Sequence, residues 1–231
     1  MNKSTLLLIE TSTESCSVAV ARGEEVLFQK FTSIPKQHAA HLAPFIVEVL
    51  KTTGLSIDDC DAIAVSEGPG SYTGLRVGVS TAKGLCFGAG KPLIAVGTLQ
   101  ILAMQGKGKA DTIVSMIDAG RMEVYSALFN KNATQTSDTE ATILDENSFA
   151  DILSTGKVLF IGNGVDKFKA IINHPNAMFE SCTPQAAGMV IPALHSMKQK
   201  EFKDVAYFEP FYLKEFVAGI SKKSLQGVLC L

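Results

Sequence analysis

The sequence contains no tryptophan, no Cys-x-x-Cys pair and no apolar run of the roughly 20 residues that a membrane span needs. Its five cysteines lie in otherwise apolar stretches, which is typical of thiols used as small hydrophobic groups in a reducing compartment. The first apolar run, residues 6–9, stops at Glu10 and is too short for the apolar part of a secretion signal. These absences predict a cytoplasmic protein with no membrane association.

Charge of either sign is also not in excess. The formal net charge is -2, the pI is near 6.1 and the lysines are scattered, so the chain has no basic face for tight, unaided binding of nucleic acid. Apolar residues make up 46% and charged residues 19% of the 231 residues. This composition excludes a disordered chain and allows either one large domain or two smaller ones.

The first half of the chain predicts a β-meander followed by alternating helices and strands. The meander is followed by a helix that ends at Gly54, and a glycine-rich loop at residues 68–74 leads into the next helix. The predicted strands are 5–9, 17–21, 25–31, 61–66 and 93–96, and the predicted helices are 37–53, 74–88 and 98–105.

The second half repeats this order less regularly after a Gly/Lys-rich connection at residues 106–110. We predict strands at 112–117, 123–129 and 158–161, a polar loop at 130–140, and helices at 148–154, 166–172 and 184–199. Such a repeat favours a duplicated α/β fold of the actin/Hsp70-like (ASKHA) type, with two lobes that each combine a mixed β-sheet with helices. The predicted N-terminal lobe, residues 1–107, carries the partner-binding helices, and the C-terminal lobe is residues 108–231. The alternative is a chance recurrence of common strand-turn-strand units.

Two segments are specific enough to indicate a family. Leu-Leu-Ile-Glu-Thr-Ser-Thr begins at residue 7 and is followed by Cys-Ser-Val-Ala-Val from residue 16, and residues 66–78 are Ser-Glu-Gly-Pro-Gly-Ser-Tyr-Thr-Gly-Leu-Arg-Val-Gly. With these segments the chain resembles the bacterial TsaB family over residues 1 to about 105. Beyond that point only residues 118–121 and 210–213 are similar to family features.

The resemblance implies an actin/Hsp70-like fold and a role in forming N6-threonylcarbamoyladenosine (t6A) in tRNAs that read codons beginning with A. It implies an accessory subunit without catalytic residues, which pairs with the catalytic paralogue TsaD, helps recruit the ATPase TsaE and forms a homodimer in isolation. The tRNA would be contacted only indirectly, through the complex. No metal or resident cofactor is expected, although weak ATP or ADP binding at a shared interface stays open.

The first hairpin is where ATP-binding proteins of this fold carry Asp-x-Gly-Thr, whose amides and hydroxyls hold phosphate. Here a longer Glu10 replaces the Asp, and no glycine allows close backbone approach. We favour a polar turn bonded to local backbone groups over a phosphate site. For the short turns around Gly120 and Gly162 we likewise favour a structural role over nucleotide binding, because glycine permits positive φ. The candidate residues of a vestigial nucleotide site are Glu10, Thr11, Ser12, Thr13, Asp118, Gly120, Gly162 and Gly164.

The sequence gives little support for a metal site, a phosphate loop or a catalytic site. His38 and His41 share a helix face, but no third metal ligand can be named, so a helix-terminal or interface role is favoured. The 68–74 loop lacks the Lys-Ser/Thr ending of a phosphate loop, and we expect Ser71 or Thr73 to cap the following helix instead. The alternative functions are an ATP-dependent small-molecule kinase of the same fold, which needs the missing hairpin Asp and Gly, and a metallopeptidase, which needs a complete ligand set.

Two helices carry more apolar surface than one sheet can cover. Residues 39–50 are apolar on every face, and Gly74, Gly78 and Ala82 form a stripe of small residues on the next helix. This surplus predicts a subunit interface, the alternative being a third layer within the same chain. Arg76 is expected to form an ion pair or a partner contact. The predicted interface residues are His38, His41, Leu42, Phe45, Val49, Tyr72, Thr73, Gly74, Arg76, Val77, Gly78, Thr81 and Ala82.

Overall fold

In a computed structural model of the chain, which describes residues 3–34 and 37–214, the strands form two five-stranded mixed sheets. The first sheet contains β1 (Thr5–Glu10), β2 (Cys16–Arg22), β3 (Glu25–Thr32), β4 (Ala62–Gly68) and β5 (Leu93–Gly97), in the order β3-β2-β1-β4-β5. The second contains β6 (Thr112–Asp118), β7 (Glu123–Asn130), β8 (Glu140–Ile143), β9 (Val158–Ile161) and β10 (Ala177–Glu180), in the order β8-β7-β6-β9-β10.

The two sheets have the same topology. In each, three antiparallel strands form a meander, and two further strands are added parallel to the first strand of that meander. The predicted duplicated actin/Hsp70-like α/β fold is therefore confirmed. The short edge strands β8 and β10 were not predicted, because neither has an apolar alternation that the sequence alone would reveal.

Six helices accompany the sheets. They are α1 (His38–Thr53), α2 (Tyr72–Ala89), α3 (Thr98–Gly106), α4 (Ala150–Thr155), α5 (Val165–Lys169) and α6 (Val190–Gln199) among the described residues. Helix α1 ends as predicted at Gly54, whose left-handed φ of 69° lets its N–H bond the carbonyl oxygen of Lys51. Helix α2 begins after Ser71, one of the two predicted caps, whose hydroxyl accepts a hydrogen bond from the N–H of Gly74. The predicted helix over 184–199 is instead a 3-10 turn (Ala186–Met189) followed by α6.

Alternate residues of β1 belong to different cores. Leu7 and Ile9 pack with α1 and α2 on one face of the first sheet, whereas Leu6 and Leu8 pack with α6 and the preceding 3-10 turn on the other. Helix α3 lies between the sheets: Ile101 joins the second of these cores, and the other apolar side chains of α3 pack on the second sheet. Helices α4 and α5 cover the outer face of the second sheet.

Along the chain, all strands of the first sheet precede residue 107, the predicted boundary, and all strands of the second sheet follow it. The chain then returns to the first lobe after β10, because α6 packs on the first sheet and the backbone N–H of Lys203 donates to the carbonyl of Leu93 at the edge of β5. No helix within residues 3–34 and 37–214 is both long and apolar enough to cross a membrane.

Candidate functional site

The polar side chains of the turn that joins β1 to β2 form hydrogen bonds within the protein. All four residues, Glu10 to Thr13, are buried. The Thr11 hydroxyl donates to the backbone oxygen of Gly74 at 2.8 Å, and the hydroxyls of Thr13 and Ser15 are 3.1 Å apart. The hydroxyls that would hold phosphate in a nucleotide-binding relative are thus already bonded to other groups.

Glu10 has no solvent-exposed surface. Its Oε1 accepts hydrogen bonds from the backbone N–H and the hydroxyl of Ser12, both at 2.5 Å, while Oε2 has no hydrogen-bond partner among the described residues. Burial raises the pKa of Glu10 to about 7, because an enclosed carboxylate loses its hydration, and the bonds from Ser12 offset this only in part. The carboxyl group is therefore part of the fold's interior and does not line the cleft between the lobes.

That cleft has a volume of about 440 Å³ and brings together the two hairpins that the sequence pointed to. The Asp118 carboxylate accepts hydrogen bonds from the Lys167 ammonium at 2.5 Å and from the N–H of Gly120 at 2.6 Å. Across the cleft, the Asn163 side-chain amide donates to Glu14 Oε2 at 3.0 Å. The cleft wall consists of Ser12, Thr13, Glu14, Gly70, Ser71, Ile117, Asp118, Ala119, Tyr125 and Asn163.

The electrostatics of this cleft disfavour a phosphate group. Glu14 and Asp118 supply two carboxylates, and Lys167, the cation bonded to Asp118, is already paired. The glycine turn is packed rather than open, because a side chain on Gly162 would place its Cβ 2.0 Å from the carbonyl oxygen of Met116. On Gly164 the Cβ would lie 2.8 Å from Val124, so both glycines serve close packing on the second sheet.

The small residues of α2 face the chain's own interior. Gly74, Gly78 and Ala82 are buried, and a Cβ on Gly78 would lie 2.2 Å from the Thr11 hydroxyl oxygen. On Gly74 it would lie 2.1 Å from the Thr11 carbonyl oxygen. The prediction that this stripe contacts a partner is therefore wrong, since the first hairpin already fills the space in front of it.

Part of α1 is likewise internal. Leu42, Phe45 and Val49 belong to the first core, so their assignment to an interface is also wrong. His38 is buried as well, and its Nε2 donates to the carbonyl oxygens of Thr13 at 2.7 Å and Ser15 at 3.1 Å. It tightens the start of α1 against the first hairpin, and it lines the depression between the starts of α1 and α2.

The opposite side of both helices is uncovered in the chain. Val47 is 64% exposed and Phe87 is 86% exposed, and a depression of about 610 Å³ lies between the starts of the two helices, lined in part by Ala39, Thr73 and Val77. We call this surface the outer helical face and define it by Ala39, Ala43, Val47, Val77 and Phe87. The predicted interface residues Thr73, Val77, Thr81 and His41 are exposed or half-buried on the same two helices.

The comparisons with known proteins agree with the sequence resemblance. The chain matches the family model described as TsaD, tRNA N6-adenosine threonylcarbamoyltransferase, over residues 32–222. It is 30% identical over 222 residues to the tRNA threonylcarbamoyladenosine biosynthesis protein TsaB of Escherichia coli (strain K12), a match that covers 92% of this chain and 96% of that protein. The chain belongs to the TsaB family.

Further TsaB-family proteins support this assignment. The protein of the same name from Bacillus subtilis (strain 168) is 33% identical over 73% of this chain and 75% of its own length. Among solved structures, YeaZ from Pseudomonas aeruginosa is 27% identical and superimposes with a TM-score of 0.81, covering 91% of this chain and all of that one.

Arg76, which belongs to the specific segment shared with the TsaB family, makes its contacts within the chain. Its guanidinium carbon lies 4.0 Å from the ring centroid of Tyr72, and its hydrogen bond to the side chain of Tyr212 raises the pKa of Arg76. The Tyr72 and Tyr212 rings are themselves 4.7 Å apart. Arg76 therefore has aromatic partners among the described residues and an acidic neighbour in Glu209, and the contact with a partner protein stays a prediction.

A segment that the sequence did not reveal crosses the first lobe of this TsaB-family chain. Residues 200–214 form a strap in which Phe211 donates its backbone N–H to the carbonyl of Glu67 at 2.7 Å, and Lys83 of α2 donates to the carbonyl of Phe208 at 2.9 Å. Gly68, with φ of +118°, permits this approach, because its Cβ would lie 2.4 Å from the Phe211 carbonyl oxygen. The family-like residues 210–213 were the signal that could have located the strap.

No group of three or more His, Cys, Asp or Glu side chains that could hold a metal ion occurs within residues 3–34 and 37–214. His41, the second of the two helical histidines, lies 2.6 Å from the side-chain oxygen of Gln37 and packs against the Phe45 ring. The two histidines thus make separate local contacts and do not converge on a common point.

Proposed function

We propose that this chain is a non-catalytic scaffold and activator subunit for t6A formation in tRNAs that read codons beginning with A. It pairs with TsaD through the outer helical face, contributes to recruiting TsaE, and forms a homodimer through an overlapping surface when TsaD is absent. The tRNA is contacted only indirectly, and the complex works in the cytoplasm. The observation that carries this proposal is an exposed apolar helical face on a chain whose cleft between the lobes is lined by the carboxylates of Glu14 and Asp118.

The pathway is supported by the relatives, which are named as tRNA threonylcarbamoyladenosine biosynthesis proteins. The subunit role is supported by the surface itself. Val47 and Phe87 are large apolar side chains that are 64% and 86% exposed in the isolated chain, and large apolar side chains exposed on two neighbouring helices offer surface that a partner can cover. Ala39 and Ala43 are small and exposed on the same side of α1 as Val47, so a partner helix can approach the backbone of α1 closely beside Val47.

Replacing Phe87 with glutamate is expected to weaken binding to TsaD by about thirtyfold, because a buried aromatic anchor of an interface contributes about 2 kcal/mol or more. The fold should be unaffected, since Phe87 makes little contact within the chain. Sedimentation or calorimetric titration with purified TsaD measures the affinity. The matched control is Ile143→Glu, which changes another exposed apolar residue, 74% exposed on β8 of the second lobe. Equal affinities for Phe87→Glu and Ile143→Glu would argue against the outer helical face.

The isolated subunit is expected to have no resident cofactor and to hydrolyse ATP no faster than a protein-free control. Glu14 and Asp118 repel phosphate in the cleft, and the first hairpin has used its hydroxyls internally. A coupled phosphate-release assay on rigorously purified protein measures turnover. The kinase alternative would gain support from a steady rate that persists through purification and disappears in Asp118→Asn.

A further inference from the structure

The first hairpin and the start of α2 are joined by reciprocal hydrogen bonds. The Thr11 hydroxyl donates to the carbonyl oxygen of Gly74 within the first turn of α2, at 2.8 Å. In the other direction, the N–H of Ser71, the residue that caps α2, donates to the carbonyl oxygen of Ser12 at 2.6 Å. Two successive hairpin residues therefore hold the residue that caps α2 and a residue in the first turn of the helix.

Glycines bring the two elements into direct backbone contact. A Cβ on Gly70 would lie 2.1 Å from the carbonyl oxygen of Ser12, and the Cβ positions of Gly74 and Gly78 fall at similar distances from Thr11 atoms. No side chain of any size fits between the hairpin and α2 over these two turns. The position of the helix is consequently set by the hairpin with no adjustable layer between them.

Glu10 holds the turn of the first hairpin. Its Oε1 receives both the backbone N–H and the hydroxyl of Ser12, the residue whose carbonyl oxygen bonds Ser71. Because these bonds are buried, they restrict the backbone of Ser12 on the side that precedes its carbonyl group. A continuous set of contacts thus runs from the β1 carboxyl group to the cap of α2.

We propose that the turn Glu10–Thr13, in the place of a phosphate hairpin, is a positioning element for α2 and through it for the outer helical face. The inner side of α2 rests on the hairpin, while Phe87 is 86% exposed on the same helix and the half-buried Val77 lines the depression between the two helices. Glu10, Thr11 and Ser12 act through α2 without touching the partner, whereas Thr13 also lines the depression between the two helices. This inference rests on the proposed function, because it assigns the hairpin a role in binding the partner of that face.

The test compares Thr11→Ala with Thr11→Ser, which differ in the one hydroxyl that bonds Gly74. Thr11→Ala is expected to bind TsaD about tenfold more weakly than Thr11→Ser, because a helix that is not fixed beforehand must be ordered on binding. Hydrogen exchange should accelerate in residues 71–82 and not in α1. Thr11→Ser should stay within about threefold of the original affinity.

A control variant that also loses one buried hydroxyl separates an effect on the position of α2 from an effect on the stability of the whole fold. Ser126→Ala removes a buried hydroxyl that is bonded to the Thr142 hydroxyl at 2.8 Å in the second lobe, and it is expected to leave TsaD affinity unchanged. If Thr11→Ala does not fold, Ser12→Ala replaces it: this change removes one of the two bonds to Glu10 and should produce the same localised exchange with an affinity loss of about threefold to tenfold.

Equal affinities for Thr11→Ala and Thr11→Ser would overturn the inference, and so would acceleration of exchange across both lobes alike. The proposed function would still stand in that case, provided Phe87→Glu weakens binding. Conversely, if Phe87→Glu binds TsaD normally, the proposed interface is wrong. A change of hydrogen exchange confined to α2 would then show that the hairpin positions the helix without a role in partner binding. That result would also contradict the inference.

Discussion

Gly78→Leu is expected to lower the free energy of unfolding by about 3 kcal/mol, the upper end of the usual cost of overpacking a well-filled interior. The Cβ alone would lie 2.2 Å from the Thr11 hydroxyl oxygen and 3.5 Å from Val65, and the rest of the leucine side chain would have to displace the first hairpin. A gain in helix propensity of about 0.8 kcal/mol offsets only part of this cost. Urea denaturation followed by circular dichroism measures the loss.

Gly84 supplies the matched control on the same helix. A Cβ on Gly84 would meet no other element of the described chain within 4 Å, so Gly84→Leu should be neutral or stabilise the fold by up to about 0.8 kcal/mol. Unfolding free energies that are equal for the two variants would show that Gly78 is not enclosed. A Gly78→Leu protein of full stability that fails to associate would restore the glycine stripe as a subunit contact.

Raising the pH from about 4.5 to 8 is expected to destabilise the original protein relative to Glu10→Gln by up to about 3 kcal/mol. Burial raises the pKa of Glu10 from 4.5 to about 7, so between these values the folded state keeps a proton that the unfolded chain has lost. The stabilising contribution is complete below pH 4.5, is lost as the pH approaches 7, and then stays constant because both states are ionised. Glutamine cannot ionise, so its variant lacks this dependence.

The measurement is a series of urea unfolding curves for both proteins at intervals of half a pH unit. Their difference at each pH cancels the titration of every other group. In Glu10→Gln the side-chain amide oxygen would still accept the two hydrogen bonds from Ser12, whereas the amide nitrogen would replace the unpartnered Oε2. That replacement shifts the difference by a constant and leaves its slope intact. A difference that does not change across this range would mean that the carboxyl group reaches water.

Local signals accounted for most of the secondary structure. Gly54 ended α1 as predicted, and Ser71, one of the two predicted caps, caps α2, because a glycine with left-handed φ and a serine at an N-cap act through atoms within a few residues. The repeated order of predicted elements also gave the correct fold, since sequential strands tend to pair with their neighbours. The edge strands β8 and β10 carry no such signal, and their pairing with longer strands is what makes them strands.

By itself the sequence determined the family, the duplicated fold and the presence of surplus apolar surface on two helices. Only the tertiary structure decided which side of those helices is covered. Helical spacing shows that Gly74 and Gly78 share a face, but the same spacing suits a contact with a partner or with the chain's own hairpin. The choice depends on where Thr11, more than 60 residues away along the chain, is brought by the sheet. The strap at residues 200–214 was hidden for the same physical reason: its contacts are long-range, and those made by backbone hydrogen bonds leave no periodic pattern in the side chains.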